Sequence, residues 1–306
     1  MKSLATLFNY LIFPGLLFSA CIGLLAGGID RIVTARVQWR KGPPLTQNFW
    51  DILKLLGKET IVPQGAKATF LLSPYLGLLT SGLVATILGQ SLTNLSEGFA
   101  GDLIVILYLL IIPAIALILG ASSSKNPLAS IGASREMKLV LAYELPFILI
   151  IVAIIIKSGG TIQLSQILQH QAQFGPHIAS WSGALAFIVA LLCMQAKLGY
   201  VPFDASEAEQ EIMAGVLIEY SGTALALFKL MKAILLYCMP LFLIILFWGK
   251  DISPMSLVGK YVALLVIIVL IKNTNPRLRI DQTVRFFWRI PTLLAIIAIV
   301  LALFGL

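Results

Sequence analysis

Between residues 197 and 221 the chain gathers Asp204, Glu207, Glu209, Glu211 and Glu219, five of its 14 acidic residues, with Lys197 as the only base nearby. Long apolar runs flank this stretch on both sides. Carboxylates crowded beside a low-dielectric region disfavour one another's ionised form, so some of them are expected to titrate nearer neutrality. That chemistry suits the acceptance and release of protons. A structural role covers part of the pattern. Pro202 breaks the preceding run, Asp204 caps a helix expected after it, and Glu207 completes something like a capping box. On that helix Asp204, Glu207 and Glu211 share a face, while Glu209 points roughly the opposite way. Capping alone does not call for so many acids.

Three more charges stand inside apolar runs. Glu144 lies roughly 14 Å into its run at about 1.5 Å per residue, too deep for a short carboxylate to reach water easily. Lys229 and Lys232 share one face of a later run. Lys229 can snorkel to the surface, whereas Lys232 lies about 16 Å from the start of its helix. Glu144 and one of these lysines are therefore expected to face a common polar interior joined to the acidic stretch.

The elements that must position these groups follow from composition. Hydrophobic residues make up 59% of the 306 and charged residues 12%, and the mean hydropathy is +0.95. Such a chain is all-α and polytopic in a membrane, a single integral domain over 1–306. Eight spans are expected, at about 4–29, 68–92, 102–121, 135–157, 181–199, 221–249, 256–271 and 284–306. The first is expected to be retained rather than cleaved as a signal peptide. A basic loop at 30–67 contains a short amphipathic helix near 49–59, and the acidic loop occupies 197–220. The connection holding Asn94, Glu97 and Gly98 has no base, and 162–168 suggests a small surface helix.

Of the 22 bases, Lys2, Lys157, Lys250 and Lys260 fall on the outer side and Lys229 and Lys232 within a span; the remainder fall on the side of the acidic loop. The positive-inside rule makes that side cytoplasmic. The net charge of +8 thus reflects topology rather than nucleic-acid binding. Cys21, Cys193 and Cys238 stand singly in apolar runs, and His170 and His177 have no acid or cysteine beside them, so no metal site is expected. No nucleotide fingerprint or nucleophile motif occurs.

The string from Val201 to Gly215, VPFDASEAEQEIMAG, followed by Glu219-Tyr-Ser-Gly, resembles the signature loop of the subunit 1 family of respiratory complex I and its relatives in membrane-bound [NiFe] hydrogenases. Arg36-Val-Gln-Trp-Arg-Lys-Gly-Pro-Pro44 and the run from Asp51 to Glu59 resemble that family's first cytoplasmic loop. Pro276-Arg-Leu-Arg-Ile-Asp-Gln282 with Trp288 is similar to its last loop and helix. Gly-Ala-Ser-Arg-Glu within 126–137, continuing to Ala142-Tyr-Glu-Leu-Pro146, is more similar to the hydrogenase branch.

The resemblance implies a tilted bundle of eight membrane helices in the cytoplasmic membrane of a prokaryote. It docks a peripheral arm of hydrogenase large, small and iron–sulfur subunits and meets antiporter-like membrane subunits. The [NiFe] centre and iron–sulfur clusters would sit in those partners, with no cofactor and no catalytic residue in this chain. Glu144, Asp204, Glu207, Glu209, Glu211 and Glu219 match the family's acidic path, to which the depth argument adds Lys229 and Lys232. Arg36 and Arg135 match basic positions near the docking surface. Arg40, Lys41, Asp51, Lys54, Glu59, Glu136, Arg277, Arg279 and Asp281 fall in or beside the same loops. Two alternatives stand: a quinone-site subunit of a complex I-type NADH:quinone oxidoreductase, and a free-standing ion transporter.

Overall fold

In hydrocarbon the backbone can pair only with itself, so apolar runs of this length fold as helices. The computed structural model describes residues 2–93 and 101–306. The helices, in chain order, are α1 (Lys2–Leu11), α2 (Leu16–Val37), α3 (Gln47–Leu56), α4 (Ala68–Thr93), α5 (Asp102–Leu109), α6 (Ile112–Ser123), α7 (Pro127–Lys157), α8 (Leu164–Phe174), α9 (Trp181–Lys197), α10 (Glu209–Ile212), α11 (Gly222–Phe247), α12 (Pro254–Thr274) and α13 (Ile280–Leu303). Among the described residues seven segments are long and apolar enough to cross a membrane. A further apolar helix, α9, has 17 residues, about 25 Å of rise. The connection with Asn94, Glu97 and Gly98 lies outside the described residues.

The spans differ from expectation mainly at their charged ends. The first does not stop near residue 29: α2 continues to Val37 and carries Asp30, Arg31 and Arg36 on helix. Asp30 can lie there because Lys272 of α12 meets it at 2.8 Å. The fourth span starts at Pro127, where Asn126 caps the helix by accepting from the Leu128 amide at 2.8 Å. On the opposite side the small surface helix is longer than expected, Leu164–Phe174.

Helix α11 is the centre of the bundle, with 83% of its most apolar window buried against 22% for α12 and 28% for α13. The last two therefore leave much of their surface uncovered by the rest of the chain. On one side α11 packs on α2 and α4; on the other, α7 packs with α9 and α13. A Cβ on Gly23 of α2 would stand 2.0 Å from the Ala233 carbonyl oxygen, so only glycine lets α2 and α11 cross this closely. Helix α4 buries Ser73, Thr80, Ser81, Thr86 and Ser91 by donating each hydroxyl to a carbonyl about one turn back.

At the corner between α8 and α9, His177 is buried, and its Nε2 and the Ser158 hydroxyl lie 3.1 Å apart. Burial first, then the neighbouring His170 and Lys157, push its pKa down to about 4 from an ordinary 6.5. An unfolded corner binds the proton more readily than the folded one, so the stabilisation is complete above pH 6.5 and declines as pH falls towards 4. Hydrogen exchange of the amides in 158–183 is expected to accelerate between pH 7 and pH 4.5 once the intrinsic rate is divided out. Unchanged protection would show that His177 is not held neutral.

Candidate functional site

The acidic stretch forms no continuous helix. Residues 198–208 run as turns, α10 is a single turn, and a short 3-10 turn follows at Gly215–Leu217. Met213 at φ 58° and Gly215 at φ 50° turn the chain left-handed and end any helix there. The path is set instead by buried apolar anchors. Phe203 packs on Phe286 and Phe287 of α13 with ring centroids at 5.9 and 4.8 Å. Tyr220 stacks on Phe70 at 4.2 Å and donates to the Phe70 carbonyl at 3.0 Å, with its hydroxyl 3.0 Å from that of Ser73. Ile212 and Val216 fill the middle. Anchors of this size each contribute about 1.5–3 kcal/mol when fully buried. At Gly132 of α7 a Cβ would stand 2.8 Å from the Val216 nitrogen and 3.0 Å from the Ser206 oxygen, so the segment lies backbone to backbone on that helix.

This path places the acids differently from the shared helix face. Asp204 receives a bidentate pair from Arg277, at 2.8 and 2.5 Å. Glu207 pairs with Lys232 of α11. Glu211 pairs with Arg135 of α7 at 2.5 Å, and that guanidinium also donates to the Ala205 carbonyl. Glu219 accepts from Asn126, the residue that caps α7, at 2.5 Å. Four carboxylates thus meet four different partners rather than one another, and Glu209 alone of the five stands exposed without an ion pair among the described residues. The expected crowding of like charge is replaced by ties from the segment to α7, α11 and the link before α13.

Glu144 does not meet Lys229 or Lys232. Its Oε2 accepts from Lys197, the last residue of α9, at 2.8 Å, with side-chain exposures of 14% and 4%. The Lys197 ammonium also lies over the rings of Tyr143 and Phe147, 4.9 and 4.8 Å from their centroids. Glu144 Oε1 is buried with no hydrogen-bond partner among the described residues. This ion-pair partner lies 53 residues away in sequence and arrives only through the packing of α7 on α9.

Lys197 also lines a narrow cavity of about 30 Å³ together with Glu136, Ser206, Glu207 and Lys232. That is room for one or two water molecules. Glu136, expected at a docking surface, is instead buried at 7% exposure, because its face of α7 carries the acidic segment, and Ser206 hydrogen-bonds to it. Lys232 lines a second cavity as well, of about 230 Å³ between α2, α3 and α11, with Asp30, Arg31, Asp51, Tyr200 and Lys229 on its walls. Arg31 and Asp51 form a 3.0 Å pair there. Burial pushes the Asp51 carboxyl up, but hydrogen bonds from Gln47 and Arg31 and the charges of Arg31 and Lys229 outweigh it and hold it below the ordinary value. Polar groups thus run from the α3 face through Lys232 and Glu207 to Lys197 and Glu144. Sequence reasoning singles out neither Asp30, Tyr200 nor Ser206; Asp30, an acid at the expected end of an apolar run, gives the only usable signal.

The remaining expected positions lie on the same face. Arg36, Arg40, Lys41, Lys54, Glu59, Arg279 and Asp281 are exposed, whereas Arg135, Arg277 and Asp51 are engaged in the pairs above. Trp39, between Arg36 and Arg40, is 98% exposed, and Trp50 and Met213 are also open.

The family described as NADH dehydrogenase matches residues 10–303. Formate hydrogenlyase subunit 4 of Escherichia coli is 30% identical over 275 residues, covering 86% of this chain and 89% of its own. A subunit of the NADH-quinone oxidoreductase of Rhodobacter capsulatus is 32% identical over 289 residues, covering 85% and 80%. A chain of the membrane-bound sulfane sulfur reductase, an archaeal respiratory membrane complex, superposes with a TM-score of 0.86 at 30% identity, covering 97% of this chain and 99% of that one.

Proposed function

The chain belongs to the NADH dehydrogenase family, and from that membership we propose that it is the membrane-anchor and ion-coupling subunit of a multisubunit energy-converting [NiFe] hydrogenase. It docks a peripheral redox arm on the face of the acidic segment and links electron transfer there to ion movement in the membrane. The observation that carries this reading is the line of polar groups from Arg31 and Asp51 through Lys232 and Glu207 to Lys197 and Glu144, which joins a water-side face to the middle of a span. A charge change in the arm shifts the balance of the first pair, and each later pair senses its neighbour across one of the two cavities. The coupling is electrostatic.

The relatives support placing the redox chemistry in partners. They match most of this chain while being named for formate, NADH and quinone, or sulfane sulfur. No redox ligand is assigned to this chain, and the [NiFe] centre and iron–sulfur clusters belong to the large, small and iron–sulfur subunits, with antiporter-like subunits alongside in the membrane. The exposed bases and Trp39 suit a docking surface, and the concentration of bases on that face makes it cytoplasmic in a prokaryotic inner membrane.

A second reading, a quinone-site subunit, is favoured by the larger cavity. Its walls combine Gly23, Leu24, Gly27 and Leu236 with the donors Arg31 and Lys229, a setting for a flat ring bearing carbonyl oxygens. Purifying the intact complex through a tag on this chain separates the two. Nickel in the preparation and hydrogen evolution from a reduced low-potential donor are expected; quinone-dependent oxidation without nickel would overturn the hydrogenase assignment. Recovery of this chain alone, active in vesicles without a redox partner, would favour a transporter.

A further inference from the structure

On the face opposite the acidic segment, the ends of α7 and α13 meet the corner between α8 and α9 around a cavity of about 510 Å³. Its walls carry Lys157, His170, His177 and Ser180, and no acidic side chain among the described residues. The Lys157 ammonium donates to the hydroxyls of Ser180 and Ser182, and none of the ion pairs among the described residues includes it. Ser182 in turn donates at 2.5 Å to an oxygen of Leu306, the last of the 306 residues. The His170 ring lies 4.6 Å from that of Phe174 and 5.5 Å from that of His177, and its Nδ1 is buried without a hydrogen-bond partner among the described residues.

A fixed cation with the His170 imidazole beside it makes a basic wall, which calls for an anion bearing acceptor oxygens. The volume exceeds what inorganic phosphate fills and falls within the range of small-molecule sites, about 300–1,000 Å³. The position is that of lipid headgroups, where membrane spans end. Phe174, Trp181 and Phe304 flank the cavity, each 77% exposed, as aromatic side chains do at a membrane boundary. We propose that this cavity binds the phosphate group of a phospholipid in that leaflet, with Lys157 and His170 facing the phosphate oxygens and the exposed aromatic side chains lying along the glycerol and upper acyl chains. Nothing in the proposed coupling role requires it.

The test is native mass spectrometry of the whole complex, purified in detergent and then supplied with phosphatidylglycerol. The wild type is expected to retain about one phospholipid per complex more than the Lys157→Gln/His170→Gln variant, as a single basic headgroup site predicts. Lys157→Arg is expected to keep it. The same spectra report the mass of the assembled complex, and the single variants Lys157→Gln and His170→Gln keep the test decisive if the double variant fails to assemble. Equal lipid counts in wild type and variants would overturn the proposal, as would a partner carboxylate filling the cavity. Displacement of the retained lipid by millimolar inorganic phosphate would show a free-phosphate site and overturn the lipid assignment.

Discussion

Replacing Lys197 by Met is expected to lower recovery of the assembled complex severely and to abolish coupled ion uptake in what remains. Lys197 is 4% exposed and sits 2.8 Å from Glu144, whose second oxygen has no hydrogen bond among the described residues. Removing the cation leaves a carboxylate in a membrane span with two aromatic rings where its partner stood. Breaking a buried pair from one side costs about 3–5 kcal/mol. A protein of ordinary stability, about 5–15 kcal/mol, does not easily absorb that loss. The double variant Lys197→Met/Glu144→Gln removes both charges and is expected to restore most of the recovery, since replacing both members of a buried pair is often neutral. Coupling is not expected to return with it. The readouts are the yield of tagged complex and ion uptake per electron in proteoliposomes. Full coupling in the double variant would mean that the pair only braces α7 against α9.

How far the sequence foretells this arrangement depends on the range of the forces involved. The spans are legible because each is a local apolar run, and Glu144 stands out because a carboxylate at that depth is rarely incidental. Its partner is not legible as such: Lys197 reads as the base beside the acidic stretch, but the pairing needs α9 to lie against α7. The helix expected after Asp204 fails for a related reason. Asp204, Glu207 and Glu211 have the spacing of a capped helix, yet local propensity there is weaker than the burial of Phe203, Ile212, Val216 and Tyr220 in four separate places. A continuous helix cannot satisfy all four. The full length of α2 is hidden because Asp30 and Arg31 look like a loop until Lys272, far along the chain, is seen to neutralise Asp30.

Lys232 is where these two kinds of information meet, and it carries the second large effect. Its depth in the span marks it in the sequence, and the structure gives it Glu207 as a partner and a place on the walls of both cavities. With side-chain exposures of 28% and 26%, the pair is reached by water and costs less to break than Lys197 and Glu144. A charged hydrogen bond of this kind is worth about 1.5–3 kcal/mol, which the assembled complex can tolerate. Lys232→Gln should therefore leave assembly and electron transfer to the natural acceptor largely intact. Ion uptake per electron should fall about tenfold or more, because about 1.4 kcal/mol on the state that passes charge from one cavity to the other is a factor of ten. Lys232→Arg keeps the cation but changes its reach, and an intermediate ratio is expected. Glu207→Gln should match Lys232→Gln if the two act as one unit, and the double variant should then be no worse than either single one. Additive losses would show instead that the two side chains serve separate routes, and an unchanged ratio in Lys232→Gln would remove the junction between the cavities from the coupling path.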